Sequence, residues 1–185
     1  MAKRLLWISL FVVVGAMAIV ATGSAQATKS KEVATLTKLD GTVQVNGNGV
    51  GKGATILSDS VVTTAARSSA VVSLGKLGRV EVMPNTGSMK LSFTDNSVAV
   101  AMLSQGRVRV SSSSGVNAST TTNDGVISAN TSDKSEYVVD TSCGNTLVAV
   151  KKGTVTLRAG DSVKQIAAGN QDTAGQARPG CTPKD

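Results

Sequence analysis

The ten residues LSQGRVRVSS, positions 103–112, place one glycine before a strict alternation of arginine and valine. Three further phrases have the same form: GTVQV from Gly41, GRVEV from Gly78 and GTVTL from Gly153. Successive side chains of a β-strand point to opposite faces of a sheet, so the alternation predicts strands with one apolar face. Glycine adopts positive φ at little cost, so each leading glycine, Gly106 included, is predicted to form a tight turn.

The alternation sorts the residues of the four phrases into two sets. The residues predicted to face the core are Val43, Val45, Val80, Val82, Val108, Val110, Val155 and Leu157. The residues predicted to face outward are Thr42, Gln44, Arg79, Glu81, Arg107, Arg109, Thr154 and Thr156. The intervals between the four glycines are unequal, so a solenoid of fixed period is not expected.

The composition also favours a β-protein. The chain has 185 residues, of which 41% are hydrophobic and 2% aromatic, and this is enough for one domain with a core. Valine and threonine favour extended backbone, and turn signals recur roughly every 8–12 residues. We therefore predict an all-β, irregular twisted β-solenoid-like or sandwich-like single domain. The segment 111–125 is predicted to be a long loop or a threonine-rich edge strand, and 162–168 the last strand.

Residues 1–27 are predicted to be a signal peptide. Lys3 and Arg4 form a basic region, and residues 5–20 are mostly apolar. The GSAQA stretch that follows ends at Ala27 with small residues, a pattern typical of cleavage after this alanine. The alternative is an uncleaved anchor, but an apolar run of about 16 residues is shorter than the roughly 20 that a spanning helix needs.

The predicted organisation after the signal peptide is a flexible N-terminus (28–34), a β domain (35–168) and a C-terminal tail (169–185). Removing Lys3 and Arg4 from the 19 basic residues leaves 17 against 12 acidic residues, a net charge of +5. We expect a periplasmic or secreted protein with no stable membrane span after cleavage.

The two cysteines, Cys143 and Cys181, are predicted to form a disulfide that pins the C-terminal tail. An exported chain meets an oxidising compartment, where an even pair of cysteines is usually bonded. A metal site is the alternative, but the chain contains no histidine and no CxxC motif.

The ordered series of phrases resembles the FecR-like domain, an exported β-rich module. The resemblance begins with LDGTVQV, continues through GKGATILSDSVVTTAARSSAVVSL, GRVEVMPNTG and LSQGRVRV, and ends with EYVVDTSCGNTLVAVKKGTVTLRAGDSV. It covers about residues 35–170. It implies a β-solenoid-like or sandwich-like domain, and some relatives are regulators with a cytoplasmic anti-sigma segment. Only Met1–Arg4 precede the apolar segment here, so we expect a stand-alone exported form.

Catalysis, cofactors and metals are not expected. Histidine, the commonest general base, is absent, and no GxSxG elbow occurs. The glycine-rich loop 46–53 has Asn46 where a phosphate-binding loop needs its first glycine, and Gly53 where it needs serine or threonine. Glu136 and Asp140 share a strand face, which we interpret as solvated surface. After the signal peptide only Phe93 and Tyr137 are aromatic, which disfavours nucleic-acid and glycan binding.

One candidate binding site remains, a basic strand face. Its predicted members are Arg79, Arg107, Arg109, Lys151 and Lys152. Such a face attracts acidic partners, or it is solvated charge that blocks edge-to-edge strand pairing. The sequence thus suggests a non-catalytic exported β-domain for protein–protein or cell-envelope interaction, and the resemblance implies a link to signalling. The alternative is a structural or matrix protein that binds acidic envelope polymers through the basic face, and a hydrolase is a third hypothesis.

Overall fold

Two β-sheets pack face to face in the computed structural model, which describes residues 33–181. The predicted signal peptide and most of the predicted flexible N-terminus lie outside the described residues. Sheet A contains, in order across the sheet, β4 (Thr55–Leu57), β1 (Val33–Asp40), β6 (Ser69–Ser73), β7 (Gly78–Val82), β10 (Arg107–Ser112), β13 (Ser135–Asp140), β14 (Thr146–Lys152) and β17 (Gln171–Ala174). Sheet B contains β3 (Asn48–Gly49), β2 (Val43–Val45), β5 (Ser60–Thr64), β8 (Met89–Phe93), β9 (Ser97–Met102), β11 (Asn117–Thr121), β12 (Val126–Ala129), β15 (Thr154–Ala159) and β16 (Ser162–Ala167). One short 3-10 turn, Gly75–Leu77, precedes β7.

The strand order advances along the chain in both sheets. From β1 onward in sheet A, and from β2 onward in sheet B, each strand lies beside strands that are close to it in sequence. Among the described strand pairs, β9 with β11 is parallel and the others are antiparallel. The fold is therefore the predicted all-β, sandwich-like single domain, built by a chain that passes repeatedly between two growing sheets.

The core lies between the sheets and is built largely from aliphatic side chains. All eight phrase residues predicted to face the core are buried, and the most exposed of them, Val45, retains only 9% exposure. Strand alternation is visible in β10, where Val108 and Val110 are buried while the arginines beside them are partly exposed. The alternation prediction is therefore confirmed, because one apolar face per strand is what a two-layer sandwich requires.

Gly106 departs from the predicted role of the leading glycines. Gly41, Gly78 and Gly153 have positive φ, as expected for turns, whereas Gly106 does not. A Cβ at position 106 would lie 2.6 Å from Cγ2 and 2.9 Å from Cα of Thr86. Glycine is needed at this position because the backbone passes close to Thr86, and the turn explanation was wrong here.

Two segments were predicted incorrectly. Residues 111–125 form the end of β10, a turn and β11, and β11 is an interior strand of sheet B rather than a loop or an edge strand. The last strand is not β16 but β17, which lies within the predicted tail and pairs with β14. Both segments are rich in polar residues, so their hydrophobic periodicity is weak even though their backbones join the ladders.

The predicted disulfide joins Cys143 to Cys181, with 5.6 Å between the two Cα atoms. The tail is also held by Arg178, whose backbone N–H donates to the carbonyl of Cys143 (2.9 Å) and whose Nη2 donates to the carbonyl of Ser142 (2.6 Å). Across residues 33–181, no helix has the length and apolar character that a membrane crossing requires.

Candidate functional site

The five predicted basic residues lie on the outer face of sheet A, which is the face opposite the core, but they do not form a continuous strip. Arg79 lies on β7, Arg107 and Arg109 on β10, and Lys151 and Lys152 on β14. Strand β13 separates β10 from β14 and contributes two carboxylates to the same face. The register pairs Arg107 with Asp140, and Lys152 with Glu136. The face is therefore one of mixed charge.

Arg109 is neutralised by two carboxylates on the neighbouring strands. Its Nη1 donates to Oε2 of Glu81 at 2.9 Å, and its Nε lies 3.8 Å from Oε1 of Glu136. The side chain of Arg109 is 33% exposed, which is less than a free surface arginine would be. The arginine is thus a fixed part of the sheet surface, because acidic groups hold it from both sides.

Arg107 and Asp140 form a second ion pair, and this pair corrects the expectation that Asp140 is solvated. The Nε of Arg107 lies 3.6 Å from Oδ2 of Asp140, whose side chain is only 4% exposed. The other carboxylate oxygen, Oδ1, accepts a hydrogen bond from the backbone N–H of Ser142 at 2.8 Å. Alternation places Asp140 on the outer face, yet the carboxylate is buried and is held between the Arg107 guanidinium and the backbone of Ser142. Val138, opposite Arg109 in the register, is also buried.

A depression of about 200 Å³, here called the central groove, lies among these side chains. Its apolar part consists of Val138, Leu147 and Ala149, which are neighbours on β13 and β14. The charged and polar residues that surround them are Arg107, Arg109, Asp140, Lys151 and Gln171. A second depression of about 410 Å³ shares Arg107 and Asp140 with the central groove, so the two adjoin.

The position of Arg107 is set by the turn that joins β7 to β8. Thr86 is completely buried in this turn, and its Oγ1 accepts a hydrogen bond from the backbone N–H of Arg107 at 3.1 Å. On the other side, the N–H of Gly106 donates to Oγ1 of Thr141 at 3.1 Å. Residues 84–86 (PNT) and 105–107 (QGR) are therefore in contact, although they are about 20 residues apart in the chain. Both segments stand out in the sequence, but their local patterns do not indicate that they contact each other.

The arginine head groups retain unsatisfied hydrogen-bonding capacity. The Nε atoms of Arg107 and Arg109 are buried and have no hydrogen-bond partner among the described residues. Both atoms lie within ion-pair distance of a carboxylate, at 3.6 and 3.8 Å, but beyond hydrogen-bonding distance. The site therefore has the charges of a recognition surface and donors that its own carboxylates do not fully use.

The strongest pKa shift in the described residues occurs on the core side of β13. Tyr137 is fully buried, and burial raises its pKa to about 12, while its hydrogen bond with Thr120 (3.2 Å) partly opposes that rise. A buried phenol of raised pKa remains protonated at neutral pH, so it contributes no charge to the outer face.

Residues 33–181 contain no group of three or more side chains that could hold a metal ion. No known family model matches the sequence, and no curated protein matches it. The interpretation of the site therefore depends on its geometry.

Proposed function

We propose that the protein is a non-catalytic exported β-domain, of the FecR-like kind, that binds a partner protein in the cell envelope through the central groove. The observation that carries the proposal is the arrangement of alternating charges around an apolar centre. Leu147 and Ala149, which are partly exposed, provide that centre above the buried Val138, and arginine, lysine and aspartate surround it. Protein interfaces commonly combine an apolar core with a polar rim, and arginine is enriched in them.

The ion pairs favour a protein partner over a polyanion. Arg107 and Arg109 are each opposed by carboxylates, so they add little net positive potential to the face. A surface with both signs of charge in a fixed pattern favours a partner with the complementary pattern. Binding of acidic polymers through the predicted basic face is the second candidate. Its support comes from Arg79, Lys151 and Lys152, which are exposed and form no ion pair with any described residue.

Export is supported by the disulfide between Cys143 and Cys181, since such bonds persist in oxidising compartments. The predicted signal peptide, which lies outside the described residues, agrees with this. We infer a periplasmic or secreted location and, by resemblance to FecR-like modules, a contribution to envelope signalling.

A charge swap tests the proposal and separates the two candidates. The double variant Arg109→Glu with Glu81→Arg reverses the pattern around the central groove, keeps an ion pair and leaves the net charge unchanged. We expect it to lose a partner that wild-type protein captures from envelope extract at moderate salt by cross-linking. A polyanion would be retained by the same variant, because its attraction depends on the total charge and on ionic strength.

The matched control is Lys38→Asp with Asp40→Lys, which swaps an exposed ion pair on β1 outside the central groove and also leaves the net charge unchanged. It should retain the partner captured by wild-type protein. Equal recovery of that partner by the charge-swapped variant would contradict the proposal.

A further inference from the structure

A separate depression of about 360 Å³ lies on the outer face of sheet A around the start of β7. Two cations line it, Arg79 and Lys134, and no carboxylate is among its described lining residues. Hydroxyl side chains form much of the remaining wall: Thr37, Ser73, Ser111 and Ser113. The pocket thus differs from the central groove, where every arginine faces an acid. Lys134 was not identified from the sequence, because it lies in a loop and belongs to no strand pattern.

The strand register places Arg79 between two serines. Arg79 pairs with Ser73 on β6 and with Ser111 on β10, so one hydroxyl lies on each side of it. Directly opposed residues of an antiparallel pair have Cβ atoms roughly 4.5–5.5 Å apart, which brings their side chains within common reach of one ligand. The hydroxyl of Ser111 is buried and has no hydrogen-bond partner among the described residues. An unsatisfied buried hydroxyl is costly and calls for an explanation.

Two glycines keep part of this wall free of side chains. Gly75 has φ +60° and open space beside it, and Gly78 has φ +129°. A Cβ at Gly78 would collide with the carbonyl oxygen of Ser111, so a side chain at this position would separate β7 from β10. Removing the glycine would therefore disturb the alignment of Arg79 with Ser111.

Two of the acids near the pocket, both on strands, are already engaged, while Asp133, the residue before Lys134, is exposed. Glu136 lies opposite Ser111 in the register, and Glu81 follows Arg79 on the same face of β7. Both carboxylates are directed to Arg109, at 3.8 and 2.9 Å. Arg79 and Lys134 form no ion pair with any residue in the range 33–181, so their charges are available to a ligand.

We propose that this pocket binds a tetrahedral oxyanion, namely a phosphate or sulfate group, either free or as an ester on an envelope polymer. The guanidinium of Arg79 offers a planar pair of N–H donors that matches two oxygens of such a group, and Lys134 adds a second positive charge. The hydroxyls of Ser73, Ser111 and Ser113 can donate to the remaining oxygens, whereas that of Thr37 already donates to the carbonyl oxygen of Val71 at 3.2 Å. A carboxylate has two oxygens and would leave several of these donors unused. The inference does not depend on the proposed partner site, since none of the lining residues named here belongs to the central groove.

The test is an NMR titration of the mature protein with sodium phosphate, sodium sulfate and dextran sulfate. We expect saturable shifts of the backbone amides of Gly75, Gly78 and Ser111. The double variant Arg79→Gln with Lys134→Gln should weaken binding at least about tenfold, because two charge-assisted contacts are lost. Tighter binding of dextran sulfate than of free sulfate would identify an ester-bearing polymer as the source, and equal binding would identify the free anion.

The matched control is Lys52→Gln with Arg158→Gln, which removes two exposed positive charges that line neither this pocket nor the central groove. It should leave the affinity within about twofold of wild type, since only the general field changes. Equal weakening by the two double variants, or a linear response without saturation, would overturn the proposal. Thermal unfolding of each variant reports whether the fold is retained. The charge-swapped variant tests partner capture, whereas the anion titration uses wild-type protein and the variants named here. Either proposal can therefore fail while the other is supported.

Discussion

Tyr137 provides a direct measurement of how well the core excludes water. It is the only tyrosine in the chain and is fully buried, with its hydroxyl 3.2 Å from Oγ1 of Thr120. Its pKa is raised to about 12 in the folded protein, against about 10 for an exposed tyrosine. Between these two values the unfolded chain loses the phenolic proton and the folded chain keeps it. Stability should therefore fall as the pH rises from 10 to 12.

The size of the loss follows from linkage. A pKa difference of about two corresponds to about 2.7 kcal/mol of unfolding free energy, which is lost progressively above pH 10 and completely only at pH values above 12. Replacing Tyr137 with phenylalanine removes the titration and also leaves the Thr120 hydroxyl without its partner, which costs about 1 kcal/mol at neutral pH. The wild type should be the more stable protein at pH 7 and the less stable one at pH 12. The two stability curves should cross between about pH 10 and 11.

Two measurements check this reasoning. Ultraviolet absorbance of tyrosinate follows the titration of this single residue in native and in urea-unfolded protein. Urea unfolding of the wild type and of Tyr137→Phe at several pH values gives the difference in stability, and lysine deprotonation cancels because both proteins share it. A native titration midpoint near 10, or stability curves that run parallel from pH 7 to 12, would refute the argument.

Three further outcomes follow from the fold. Gly106→Ala should destabilise the protein by about 1–3 kcal/mol in urea unfolding, because the added methyl group would overpack against Thr86. The control Gly49→Ala, at a position with open space around it, should be nearly neutral. Equal effects of the two substitutions would contradict the close approach of the backbone to Thr86. Reducing the Cys143–Cys181 bond should lower stability by roughly 3–4 kcal/mol, because it releases a loop of 38 residues, and a change in unfolding midpoint under reductant measures this. The Lys164 ammonium lowers the pKa of Asp172, so this carboxylate stabilises the fold above about pH 4 and loses that contribution in acid. The unfolding free energy of Asp172→Asn should therefore fall less in acid than that of the wild type. The difference should be at most about 1 kcal/mol, because the pair is exposed.

Alternation alone was sufficient to predict the core of this protein. Each valine of GRVRV and GTVQV is buried because a two-layer sandwich needs one apolar face per strand. This need appears in the sequence as an apolar residue at every second position. The disulfide was predictable in a similar way, since the chain contains only two cysteines. These features depend on local pattern or on composition.

The surface could not be predicted to the same degree, because it depends on which strands are neighbours. The sequence shows two arginines on β10 but not that β7 and β13 lie beside it with Glu81, Glu136 and Asp140. For the same reason Asp140 was expected in solvent and is covered instead. The close approach of Thr86 to Gly106 also joins distant segments, and nothing in either segment alone specifies the contact.

The orderly growth of both sheets has a consequence for how the chain folds. Every described strand except β1 and β2 has at least one neighbour in its sheet that precedes it in the chain. A chain released progressively from N-terminus to C-terminus can therefore assemble strand by strand, because an earlier strand is already available for each new strand to pair with. The last strand, β17, and then Cys181 arrive at the end, so oxidation of the bond to Cys143 seals a structure whose earlier parts already exist.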